Sequence, residues 1–95
     1  MFKATARSLY QLIGKTRLGD LPPEWQAPVG QVLDAEEKSD PRFKNAEIRG
    51  SKPHASHDDP TDPKDVVSVR IKDDGLKTFR RLHIHQDGSV KRIDV

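Results

Sequence analysis

Residues 66–95 read VVSVRIKDDGLKTFRRLHIHQDGSVKRIDV, and three strand-like runs within them set the expected fold. Residues 66–72 are rich in β-branched side chains and alternate, with Val67, Val69 and Ile71 on one face and Ser68, Arg70 and Lys72 on the other. Asp73-Asp74-Gly75 supplies turn chemistry, since Gly75 can take a positive φ without steric cost. Residues 77–86 form the second run, Asp87-Gly88 is a short hairpin signal, and residues 89–95 form the third. The simplest product is an antiparallel meander.

The strand period of 2 then sorts the residues onto faces. Leu82 and Ile84 belong to the core face, and Arg81, His83 and His85 to the opposite one. With Asp87-Gly88 as a tight turn, Ile93 and Val95 point to the core and leave Val90, Arg92 and Asp94 outside. Phe79 falls on the outward parity, which calls for a bulge there or a Phe capping the hairpin end. The outer face is therefore cationic and carries the His83-x-His85 pair. Every site assignment rests on this register, because a slip of one residue turns every side chain over.

The composition bounds the rest. At 95 residues the chain is one domain. Its hydrophobic content is 33%, about 39% with the six glycines included, against about 45–50% for globular domains. The core is small, and stabilisation by a partner is expected. With no cysteine, disulfide scaffolds, thiolate metal sites and Cys nucleophiles are excluded. No apolar run approaches the roughly 18 residues of a membrane span, and no secretory h-region is present. Residues 1–18 hold Lys3, Arg7, Lys15 and Arg17 and no acid, so the remainder carries 13 basic against 15 acidic residues and the whole +2 charge lies at the N-terminus.

In residues 1–18, Phe2, Ala6, Leu9 and Ile13 recur at helical spacing, joined by Tyr10 and Leu12. The expectation is an amphipathic helix lying across the sheet, ending near Gly14 and Gly19. The same pattern also suits an organellar transit segment or a membrane-surface helix. Residues 19–65 form an irregular strap. Leu21-Pro22-Pro23-Glu24-Trp25-Gln26-Ala27-Pro28 is expected to be extended, because prolines block helix. Trp25 is either a plug pinning this strap to the core or a partner-binding aromatic. Residues 29–38 suit a short helix with Val29, Val32 and Leu33 inward. Residues 43–49, with Ala46 and Ile48 at period 2, suit a fourth, edge strand. Residues 50–65 have three prolines and almost no apolar content, and read as a loop or linker.

Three chemistries fit the outer face. Arg81, His83 and His85 are the parts for metal-independent RNA cleavage: one imidazole takes the 2′-hydroxyl proton, another protonates the leaving oxygen, and the guanidinium stabilises charge on phosphorus. Arg70, Lys72, Arg81, Lys91 and Arg92 would instead hold a phosphate backbone. For metal, His83 and His85 with Asp94, or His54 and His57 with Asp58 and Asp59, lack a ligand spacing of known specificity. No metal or other cofactor is expected, and no phosphate-cradling Gly-rich loop or Ser nucleophile elbow is present.

The expected fold is α+β: an N-terminal amphipathic helix on a three- to four-stranded antiparallel sheet, with irregular Pro-rich straps. The expected core is Leu9, Ile13, Trp25, Leu33, Val67, Val69, Ile71, Leu82, Ile84, Ile93 and Val95. The expected function is a small non-catalytic interaction protein, an accessory subunit of a larger mitochondrial or RNA-containing assembly. Its partner would be a protein or RNA, and its location mitochondrial or cytoplasmic. The alternative is a small metal-independent ribonuclease of toxin type.

Overall fold

The C-terminal meander forms from three strands, β4 (Asp65–Lys72), β5 (Thr78–Ile84) and β6 (Val90–Asp94), paired antiparallel in sequence order. The computed structural model describes residues 9–56 and 59–95. Before the meander come β1 (Gln11–Ile13), a 3₁₀ turn at Leu18–Asp20, helix α1 (Pro23–Ser39), β2 (Asn45–Ile48) and the two-residue β3 (His54–Ala55). The protein is α+β with one helix and a six-stranded mixed sheet of order β1-β2-β4-β5-β6. β3 pairs with β4 beyond the end of β2, so β2 and β3 share one edge of β4. β1 runs parallel to β2, and α1 is the crossover between them.

The sheet therefore has more strands than expected, and the strand at residues 43–49 is not an edge: β2 lies between β1 and β4. The described part of the expected N-terminal helix is not helical either. Gln11–Ile13 extends along β2, Gly14 takes φ +86° at the strand end, and Leu9 is 80% exposed. The part of that expectation on residues 1–8 lies outside the described residues.

The helix instead starts inside the stretch expected to be extended. Pro23 stands at its first position, where an N–H has no intrahelical partner and the fixed φ already suits a helix. Pro28 lies inside the helix and removes only the bond to the carbonyl of Glu24, an exposed residue whose carbonyl water can serve. Trp25, Val29, Val32, Leu33 and Glu36 are spaced i, i+4, i+7, i+8 and i+11, so they form one stripe, and all five are buried. The hydrophobic return outweighs the one interior proline, Pro28.

The core lies between this stripe and one sheet face, where Ala46, Ile48, Val67, Val69, Ile71, Leu82 and Ile84 are buried. Phe43, just before β2, joins them and stacks on Tyr10 with centroids 4.6 Å apart. The expected bulge at Phe79 is present. Ile71 faces Arg80 while Lys72 faces Thr78, so Phe79 is the extra residue and packs toward the core.

The β5–β6 hairpin departs from the expected register. The His85 N–H donates to the Ser89 carbonyl at 2.8 Å, enclosing the three residues Gln86, Asp87 and Gly88, with Gly88 at φ +88°. One extra loop residue shifts the pairing by one, so Leu82 faces Arg92 and Ile84 faces Val90. Val90, Arg92 and Asp94 therefore lie on the helix side, and Ile93 lies on the far face opposite Arg81. Val95, expected in the core, is 70% exposed, and Ile13 and Ile93 are only half-buried. The β4–β5 loop has the same design, closed by the Asp73 N–H donating to Lys77 at 3.0 Å. There the left-handed residue is Leu76 at φ +66°, one position beyond Gly75.

The parity change brings an ion network under the end of α1. Arg80 donates to Glu36 at 2.9 Å, to Asp40 at 3.3 Å and to Asp94 at 2.7 Å, and Arg92 donates to Glu36 at 2.6 Å. Arg42 grips Asp40 through Nε at 3.1 Å and Nη2 at 2.8 Å, and its guanidinium lies 4.3 Å over the Phe79 ring. The hydrogen bonds from the Arg42 side chain hold the Asp40 carboxyl down at about 2. A carboxylate lowered by folding adds stability that is complete above its ordinary value of 3.8 and disappears as pH falls toward 2. Urea unfolding should therefore lose midpoint steeply over that interval, and Asp40→Asn should flatten the loss. An equal slope in the variant would remove Asp40 as its source.

Candidate functional site

The sheet face turned away from α1 is not a bare solvated surface. β3 pairs along the edge of β4 through His54 opposite Val66 and Ala55 opposite Asp65, and just beyond it Ser56 meets His83 on this face. Val66 is fully buried, and Ser56 and His83 are each 6% exposed. Alternation then places Ser68 and Arg70 of β4 beside His83 and Arg81 of β5, since Ser68 faces His83 and Arg70 faces Arg81.

These residues enclose a cavity of about 270 Å³ lined by Arg49, His54, Ser68, Arg70, Arg81 and His83 together with Val69. Three guanidiniums and two imidazoles share it, and Arg49 Nη1 also reaches Glu47 Oε2 at 3.3 Å. The imidazoles are held by hydroxyls. Ser56 Oγ lies 3.0 Å from His83 Nδ1, and Ser68 Oγ lies 3.1 Å from His54 Nε2. His54 Nδ1 is 2.8 Å from the Ala55 carbonyl oxygen. A carbonyl can only accept, so the neutral ring carries its hydrogen on Nδ1, and Nε2 accepts from the Ser68 hydroxyl. The arrangement can bind an anionic group and can draw a proton from Ser68.

The expected residues separate. His83 and Arg81 line this cavity, but His85 does not. Its Nε2 meets Asp62 at 3.0 Å and its Nδ1 the Asp65 carbonyl at 3.3 Å. It lines a second cavity of about 610 Å³ at the strand end, with Trp25, Pro53, Lys64 and Gln86. Strand parity puts the two histidines on one side, yet they line different cavities.

Among the expected phosphate-binding cations, Arg70 and Arg81 line the first cavity, and Lys91 stands across from His83 on β6. Lys72 lies 3.5 Å from Glu47. Arg92 is on the opposite face bound to Glu36, so its expected place on the outer surface is corrected by the three-residue loop. Trp25 is buried in the core, where it walls the second cavity. The His83, His85 and Asp94 metal set does not assemble, since Asp94 is on the helix side, bonded to Arg80. His57 and Asp58 of the other set lie outside the described residues.

Arg49, Ser56 and Ser68 were not legible as site residues, and His54 was read only as part of a loop metal set. The β3–β4 pairing brings His54 to Ser68 and Ser56 to His83, and nothing in a Pro-, Asp- and His-rich loop announces that pairing. Among the described residues no helix is long and apolar enough to cross a membrane. No protein-family model, no curated protein and no solved structure matches this chain.

Proposed function

We propose that the protein is an RNA-binding accessory protein that holds a phosphate of the RNA backbone in the arginine-lined cavity. One observation carries this reading: Arg49, Arg70 and Arg81 meet around a single concavity. Guanidiniums suit phosphate because their forked donors match its oxygens. Base stacking has no support on this face. Phe79 packs toward the core, Tyr10 stacks on Phe43 and Trp25 is buried, so recognition would run through backbone and shape.

The test is a gel-shift titration with labelled structured RNA over a salt series. Binding should weaken with salt, and Arg70→Ala with Arg81→Ala should lower the logarithmic salt slope by about 0.7 per lost contact on single-stranded regions. A salt-independent shift, or none, would overturn the reading and favour a protein partner. Cleavage by the His83 and His85 pair is the weaker reading, because the two rings serve different cavities. RNA cleavage that survives EDTA but is lost in His83→Ala with His85→Ala would restore it.

A further inference from the structure

We propose that Ser68 is a nucleophile toward phosphodiesters, with His54 as its general base and the Ala55 carbonyl fixing the tautomer of the ring. This rests on the reading that the arginine-lined cavity receives a phosphate. The geometry has three consecutive parts. Ser68 Oγ and His54 Nε2 are 3.1 Å apart, the opposite ring nitrogen is 2.8 Å from a carbonyl that can only accept, and both residues line the cavity. A hydroxyl, a base within hydrogen-bond reach and a third group orienting that base are what activation of a serine requires.

Arg49, Arg70 and Arg81 complete the site by facing the place where charge would build on the phosphoryl oxygens. A volume of about 270 Å³ suits one phosphoryl group with part of a substituent, near the lower bound of about 300 Å³ for small-molecule pockets. Ser68 sits on the central strand β4, between β2 and β5, so its position is set by the sheet.

The step balances without a metal or redox partner. Ser68 Oγ attacks phosphorus and its proton passes to His54 Nε2. The Oγ–P bond forms, the bond to the leaving oxygen breaks, and His54 returns the proton to that oxygen. In the second half, water attacks the same phosphorus, His54 takes its proton, and the Oγ–P bond breaks as Ser68 recovers the hydrogen.

The experiment incubates the full chain with bis(4-nitrophenyl) phosphate in EDTA, following nitrophenolate release and the intact mass of the protein. The expected result is a burst of nitrophenolate with a mass gain of one nitrophenylphosphoryl group, placed on Ser68 by peptide mapping. Ser68→Ala should abolish the adduct, and His54→Ala should slow release by about a hundredfold. Release no faster than in Ser68→Ala, or release without an adduct on Ser68, overturns the proposal. The gel shift on the same preparations separates the two readings. A salt-dependent shift without turnover leaves RNA binding standing and removes the nucleophile. Turnover with the Ser68 adduct but no shift does the reverse.

Discussion

Glu36→Ala is expected to lower the unfolding free energy by about 3 kcal/mol, the lower end of the cost of breaking a buried ion pair from one side. The Glu36 side chain is 1% exposed, and both carboxylate oxygens are occupied, one by Arg80 and one by Arg92. Truncation leaves a void beneath the helix and strands part of the charge on Arg80, whose side chain is only 16% exposed. The lower end applies because Arg80 keeps Asp40 and Asp94, while Arg92, 49% exposed, can turn to water. For the same reason Arg92→Ala should cost no more than about 1 kcal/mol. Urea denaturation of both variants checks the argument. Equal losses would mean that burial of the carboxylate is not what makes it expensive.

Phe43→Ala should cost about 3–5 kcal/mol, the range for deleting a buried aromatic ring. Phe43 is fully enclosed, and its ring stacks on Tyr10 at an interplanar angle of 25°. It stands just before β2 and touches the chain entering β1, so its loss opens a void where helix, β1 and β2 converge. In a domain of this size each kcal/mol moves the midpoint by about 4–8 °C. Calorimetry should therefore show a fall of more than about 12 °C, with Phe43→Leu intermediate. A fall of a few degrees would show that the neighbouring side chains close the gap.

These two sites mark different degrees of legibility. The alternation of Val67, Val69 and Ile71, and of Leu82 and Ile84, is a local property of strands with one buried face. A reader of the chain can assign it, and all five are buried as assigned. The same holds for Val29, Val32 and Leu33 on the helix. Glu36 and Arg80 were beyond such reading. An acid in a helix and an arginine in a strand are ordinary surface residues until the strands are in register and the helix lies across them.

What the sequence by itself determined is the meander, the α+β class and most of the core, with a bulge at Phe79 as one of two alternatives, because strand and helix periods act over a few neighbours. Tertiary structure decided three things. A three-residue loop at Gln86-Asp87-Gly88 reversed the faces of β6, since one backbone residue is a half-turn of a strand. A helix formed from Pro23 through Pro28, because Pro23 suits the first position and burying Trp25, Val29, Val32 and Leu33 against the sheet outweighs the local cost of Pro28. The pairing of β3 with β4 brought His54 to Ser68 and Ser56 to His83, contacts spanning 14 and 27 residues. Such contacts depend on where the sheet edge leaves unpaired backbone groups, which no local pattern encodes.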